Sequence, residues 1–293
     1  MKIIDTTTYF EEEMMMNLRF NILDKYVDHF IVSESRFTHS GNEKGIKFDK
    51  RKFPQFAEKI THIVLEKEPN GIIKRDNLST KDLRLNSIIR IKAQRDLILK
   101  YIKSYAPDDY IIHSDNDEIP DLKNFDFDKN NKKFVIFNQR MFYYKFNLSL
   151  PGLNWFGSKA CKIKYLKSID ILRSIKNKVY PYYRIDTLFS DLKHQSLYIV
   201  KNGGWHFSNL KNLEELERKY LNDENHAEYE EQGFDKNRII ENLKNKTIDY
   251  DHYAKKGSSN RFNSNKLEKI DINILPEFIL NNLDTYKEWI DYS

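Results

Sequence analysis

Residues 109–121 read DYIIHSDNDEIPD, an apolar run that ends in Asp115, Asp117, Glu118 and Asp121. Carboxylates this close repel one another unless a cation sits among them. In an extended chain the side chains of Asp115 and Asp117 point to the same side, so both can reach one oxygen-preferring ion such as Mn2+ or Mg2+. Such an ion can bridge a diphosphate and neutralise the charge of a departing nucleoside diphosphate. Glu118 can join the ion or hold a water beside it.

Spacing alone does not select this pair, because Asp126/Asp128 and Asp249/Asp251 repeat it. The distinguishing context is the apolar strand before Asp115 and Pro120 after it. Strand ends of this kind are where open α/β sheets bind ligands. His206, in GGWHFS, follows two glycines that permit unusual backbone angles or a close approach, and it is a natural third metal ligand beside two carboxylates. Arg95 falls on the apolar face of a helix, where a buried charge needs an acid or a phosphate as partner. Glu34 ends a strand where a nucleoside could lie. No P-loop, serine-hydrolase elbow or His-Glu-x-x-His pair occurs, which argues against those chemistries.

The elements that must position these residues alternate strand and helix. KIID, VDHFIVSES, THIVLE and DYIIH read as strands. A helix over EEEMMMNLRFNILDKY carries Met14, Leu18, Ile22 and Tyr26 on one stripe, a shorter helix is expected around 53–59, and a long one runs from residue 87 to about 105. This rhythm predicts an α/β fold, a mixed, mostly parallel sheet flanked by helices. Further strands follow in KFVIFNQRMFYYKFNLSL, LNWFGSKACKIKYL and SLYIV, then helices over 213–221, 236–246 and 276–290. The reading is one catalytic domain over 1–250 and a C-terminal helical extension, 251–293, packed on it. The segment KKGSSNRFNSN around Gly257 has the composition of a flexible stretch.

Composition agrees with a folded, soluble protein. The chain has 293 residues, 40% of them hydrophobic, and its charges are interspersed with a net of +5. Basic residues form no concentrated face or arm, which argues against nucleic acid as a partner. The excess suits transient contact with anionic lipid headgroups. A single cysteine, Cys161, excludes an intrachain disulfide and fits a reducing compartment. With no apolar signal segment or stretch of about 18 apolar residues, the expected location is cytoplasmic.

Three blocks in order, VDHFIVSESRFTHSGNEKG, YIIHSDNDEIPD and GGWHFSNL, resemble glycosyltransferase family 17, and QRDLI and KYLNDENHAEY extend the resemblance over roughly residues 1–240. It implies a GT-A-like (Rossmann-like) fold, a nucleotide-sugar donor, a divalent metal at the Asp-x-Asp and inversion at the anomeric carbon. Asp115 and Asp117 would hold metal and donor diphosphate, while Glu34, Arg95 and His206 fall on family-like positions. Inversion needs a base for the acceptor hydroxyl. Asp186, flanked by aromatic residues, and Glu118 are candidates, as is Asp191.

The reading is a metal-dependent inverting transferase that moves a sugar, such as N-acetylglucosamine, from a UDP-linked donor to a glycan or lipid-linked saccharide. A metal-dependent phosphohydrolase or nuclease could use the same carboxylates. A calcium-dependent glycan-binding module is the non-catalytic alternative.

Overall fold

A computed structural model describes residues 1–233, 235–253 and 262–293. The Gly257 segment lies outside the described residues up to 261. The first half is built from β1 (Ile3–Tyr9), α1 (Glu13–Leu23), β2 (His29–Ser35), β3 (Ile60–Leu65), α2 (Thr80–Asp96) and β4 (Tyr110–Ser114). These strands lie side by side in the order β3-β2-β1-β4, all parallel. The chain winds outward through β1, β2 and β3, then crosses back to lay β4 on the other side of β1. Strand order therefore reverses between β1 and β4, and the crevice at their C-terminal ends is where such a sheet offers a ligand site.

The second half adds β5 (Glu118–Pro120), β6 (Phe134–Tyr143), β7 (Leu148–Ser149), β8 (Trp155–Lys162), α3 (Ile169–Ser174), β9 (Leu197–Val200) and β10 (Gly204–Ser208). Strand β8 runs antiparallel between β4 and β6, and β6 pairs in parallel with β9 and then β10. The chain closes with α4 (Leu213–Asn222), α5 (His226–Glu231), α6 (Lys236–Asn245), β11 (Thr247–Tyr250), β12 (Phe262–Lys266), β13 (Glu268–Lys269) and α7 (Glu277–Leu280). The sheet is mixed with helices packed on it, as the alternating sequence pattern predicts.

Strand alternation divides the core into two faces. Phe30, Val32, Tyr110 and Ile112 pack with Met15, Met16, Phe20 and Leu23 of α1, whereas Ile4, Ile31 and Ile111 pack with Ile98 and Ile102 beyond α2. The C-terminal part joins the first face through Leu275, Ile279, Tyr286 and Ile290, which belong to the same core.

Several elements differ from expectation. The most buried residues of α1 are Met15, Met16, Leu18, Arg19, Phe20 and Leu23, while Met14 and Ile22 are only partly buried. That rotation carries Arg19 inward. Helix α2 starts earlier than apolar periodicity suggests, because Ser79 and Asp82 form a capping box. Its inner face is polar, with Asn86, Arg90 and Gln94 bonded to loop and strand backbone; Gln94 Nε2 donates to Ser33 O at 2.8 Å. The stretch 50–59 forms two 3-10 turns rather than a helix. The C-terminal stretch is less helical than expected, α7 being followed only by the turn Lys287–Trp289. Among the described residues no helix is long and apolar enough to cross a membrane.

Arg19 is fully buried and doubly bonded to Asp5, Nε to Oδ2 at 2.7 Å and Nη2 to Oδ1 at 2.5 Å. Removing one partner of such a pair strands the other charge, at a cost of about 3 to 5 kcal/mol. Arg19→Met is expected to lose stability on that scale in urea unfolding, and Asp5→Leu combined with Arg19→Met to regain part of it. A loss in the single variant of under about 1 kcal/mol, the range of an exposed ion pair, would contradict this assignment.

Candidate functional site

A cleft of about 410 Å³ opens at the crevice between β1 and β4, bordered by Arg95, Asp115, Asp117, Arg173, His206 and Glu224. Its floor is the turn 115–118 that the sequence singles out. Arg19 reaches that turn from below, donating to the carbonyl of Glu118 at 2.8 Å. From within the turn, Glu118 Oε2 accepts the backbone N–H of Asp115 at 3.0 Å.

The two aspartates do different things. Asp115 Oδ1 accepts from Arg95 Nη2 at 2.9 Å and Oδ2 from Arg173 Nη2 at 2.8 Å. Burial works to raise the Asp115 carboxyl, but the charges of Arg173 and Arg95 prevail and hold it far below the usual range. Arg95 has thus found the acid partner its position requires. In this arrangement Asp115 has both oxygens in an arginine clamp, although the side chain keeps 32% of its surface open.

Asp117 instead faces His206, with Oδ1 3.4 Å from Nε2, and Lys219 Nζ lies 4.0 Å from Oδ2. Burial again opposes ionisation, and His206 and then Lys219 hold the Asp117 carboxyl below its ordinary value. Among the described residues no three His, Cys, Asp or Glu side chains gather as a complete metal cage. The expected trio of Asp115, Asp117 and His206 therefore separates into an arginine-bound residue and a pair. In that pair a carboxylate and an imidazole stand close enough to share one divalent ion of the kind that accepts both oxygen and nitrogen ligands, whose remaining ligands would come from water and substrate phosphates.

The pairing of β10 with β5 explains how His206 arrives there. His206 lies opposite Glu118 in antiparallel register, and Phe207 N donates to Asp117 O at 2.8 Å. Gly204, at φ +130°, makes this approach feasible, since a Cβ would come within 2.7 Å of Asp121 N and 2.9 Å of Pro120 Cα. The glycines thus admit another strand rather than a ligand. Two polar atoms of the cleft residues, Arg95 Nε and His206 Nδ1, are buried without a hydrogen-bond partner among the described residues.

The other anticipated residues lie elsewhere. Glu34 is fully buried and holds the loop after β2, accepting from Lys44 Nζ at 2.6 Å, Lys47 N at 2.9 Å and Phe48 N at 3.0 Å; it is a scaffold rather than a nucleoside contact. Glu118 is fully buried among Trp155, Arg173 and the Asp115 amide, so it has no freedom to take a proton from an acceptor. Asp186 is on an exposed turn, bound by Arg184 and Lys193 at 2.8 Å each, and Asp191 pairs with Lys167 at the surface. Neither borders the cleft.

The structure adds residues the sequence does not single out. Arg173 closes the clamp on Asp115 and Glu118 from the end of α3. Lys159 ties that end down, donating to the carbonyls of Arg173 at 2.7 Å and Ile175 at 2.6 Å; burial, then the charge of Arg173, pushes its ammonium down to about 7. Glu12 accepts from Phe10 N and Glu11 N and pairs with Lys211 at 3.2 Å, lining the cleft beside Asn116. Glu224, between α4 and α5, borders the cleft and accepts no hydrogen bond from a described residue. Burial, reinforced by the charge of Asp223, raises its carboxyl above the ordinary glutamate value. A second cavity of about 390 Å³ adjoins the cleft, shares Trp155, Lys219, Asp223, Glu224 and His252 with it, and is walled by tyrosines including Tyr143 and Tyr250.

A charged cleft at the switch point of the parallel half of a sheet is where open α/β folds bind their ligands. The chain belongs to glycosyltransferase family 17, whose defining sequence pattern matches residues 1–287, and it is a glycosyltransferase. No curated protein matches it. Among solved structures it is similar to HddC from Yersinia pseudotuberculosis, at 13% identity and a TM-score of 0.32, over 69% of this chain and 92% of that one. It is also similar to a glycosyltransferase involved in glycosylation of the major capsid of PBCV-1, at 11% identity and a TM-score of 0.30, over 69% and 82%.

Gly204→Ala is expected to push β10 from β5 and displace His206 from Asp117. Urea unfolding checks this: a stability loss of about 1 to 3 kcal/mol is expected. Unchanged stability would mean that the close approach of β10 to β5 does not require a glycine at 204.

Proposed function

We propose that this glycosyltransferase passes a sugar from a UDP-linked donor, N-acetylglucosamine being the first candidate, to a saccharide hydroxyl with inversion, and that it works with Mn2+ or Mg2+. The observation carrying this reading is the Asp117–His206 pair at the mouth of the switch-point crevice, beside the arginines of the clamp. Asp117 and His206 would hold the ion. Bound there, it would supply positive charge to the diphosphate as the bond to the sugar breaks.

The chain's own residues account for the rest. Arg95 and Arg173 are delocalised, permanently charged donors suited to a diphosphate, and their present partner, Asp115, offers the same kind of oxygen acceptor. The aromatic cavity beyond Trp155 is shaped to take the acceptor saccharide, whose apolar ring faces stack on such walls. Glu224 borders both spaces. As the acceptor oxygen forms its bond to the anomeric carbon, the bond from that carbon to the diphosphate oxygen breaks and its electron pair leaves with the nucleoside diphosphate. The acceptor proton passes to the Glu224 carboxylate. Elevation of its pKa brings this base nearer neutrality, which strengthens it.

Release of UDP from UDP-N-acetylglucosamine, measured with Mn2+ and a panel of p-nitrophenyl glycosides, is expected to depend on the saccharide present. Rapid hydrolysis of p-nitrophenyl phosphate with no preference for nucleotide sugars would replace this reading with a phosphohydrolase. Glu224→Gln is expected to lower kcat by about 10²- to 10⁴-fold while leaving UDP affinity unchanged. Because the base must be ionised, wild-type kcat should fall with decreasing pH through a value above about 4.3, the ordinary glutamate pKa. Burial disfavours the Glu224 charge, so the glutamine variant should unfold at the same temperature or higher. A variant with wild-type kcat would remove Glu224 from this role.

A further inference from the structure

Between α3 and β9 the chain spends apolar side chains on solvent. Val179, Tyr182, Tyr183, Ile185, Leu188 and Phe189 are all exposed, Tyr182 at 88% and Phe189 at 87%. Single exposed apolar residues are ordinary, whereas a cluster of this kind in one short segment marks a contact surface.

The loop that displays them is held together from within. Lys176 N donates to Leu192 O at 2.8 Å, closing its base. Buried Thr187 donates to Arg184 O at 2.6 Å, and Gln195 Nε2 donates to Thr187 Oγ1 at 2.9 Å and Tyr182 O at 3.1 Å. Its backbone is hydrogen-bonded from within while its rings and aliphatic chains are exposed.

Charge says what such a surface meets. Residues 176–193 carry Lys176, Lys178, Arg184 and Lys193 against Asp186 and Asp191. Both acids are already neutralised, Asp186 by Arg184 and Lys193, and Asp191 by Lys167. Lys176 and Lys178 remain exposed at the base with no ion pair among the described residues, Lys178 Nζ 5.8 Å from the Tyr180 ring. Protruding tyrosine, phenylalanine and leucine side chains above free lysines match the interfacial layer of an anionic bilayer, where the apolar tips enter the acyl boundary and the ammonium groups meet phosphate.

We propose that this loop docks the enzyme on an anionic phospholipid surface. The tips of Tyr182, Leu188 and Phe189 insert, and Lys176 and Lys178 meet the headgroups. The loop is continuous with α3, whose Arg173 borders the donor cleft, so docking and the cleft share one segment of chain. An acceptor saccharide carried on a lipid would be met at such a surface.

Sedimentation with vesicles of phosphatidylcholine, alone or mixed with phosphatidylglycerol, tests this on the full chain. Wild type is expected to sediment with the mixed vesicles and to bind pure phosphatidylcholine more weakly. Tyr182→Ser with Phe189→Ser should reduce binding at least tenfold, and Lys176→Glu with Lys178→Glu should abolish the preference for the anionic lipid, both with unfolding temperatures like wild type. Wild type remaining in solution with both vesicles would overturn the proposal, as would variants that bind like wild type. So would a dimer that forms through the loop, is lost in Phe189→Ser and stays off vesicles, since the surface would then belong to a second copy. None of these outcomes depends on whether the donor is UDP-linked.

Discussion

The turn 115–118 exists in its observed shape because three arginines hold it. Arg19, fixed by Asp5, grips its carbonyls from below, while Arg95 and Arg173 grip the Asp115 carboxylate from the sides. Four carboxylates sit close together here, Asp5, Asp115, Asp117 and Glu118, and each has cationic or hydrogen-bonding partners suited to its depth. Buried charges are tolerated only under that condition. The rest of the site follows from it. With Glu118 locked to Trp155 and the Asp115 amide, Asp117 is the residue of the turn left to face His206.

Fold and electrostatics are coupled through position. The parallel half of the sheet ends its strands at one edge, and the crossover to β4 opens the crevice there. Helix α1 delivers Arg19, the end of α2 delivers Arg95, α3 delivers Arg173 and β10 delivers His206. Four elements distant in sequence thus meet at one turn. Salt and burial bear on them differently: the fully buried Arg19–Asp5 pair is shielded from counterions, whereas the partly open Asp115 clamp is within their reach.

How much of this was legible in the sequence depends on the range of the signal. Strands β1 to β4 were readable from their apolar runs, whereas the helices between them were placed only coarsely, since α1 is rotated from its expected stripe and α2 buries a polar face; the acidic turn at the end of β4 was readable as a site because an apolar strand delivers it. The resemblance of three ordered blocks to family 17 agreed with the match over residues 1–287. The division of labour between Asp115 and Asp117 was not legible, because it depends on Arg173, a residue in a short helix with no local mark. Arg19 was hidden by its setting among apolar neighbours. Glu34 misled because a strand-end carboxylate can cap a loop as readily as contact a ligand. Asp186 misled because flanking aromatics suggested a cleft, and those aromatics face solvent. The Ser79–Asp82 capping box, by contrast, was present in the sequence and would have placed the start of α2 correctly.

Calorimetric titration of UDP into wild type and Asp117→Ala, each with Mn2+ and again with EDTA, tests the proposed roles of Asp117 and His206. Wild type is expected to bind UDP only with Mn2+, and Asp117→Ala is expected to lose that binding. Binding of equal strength in EDTA, or in the variant, would contradict the assignment of Asp117 and His206 as the pair that holds the ion.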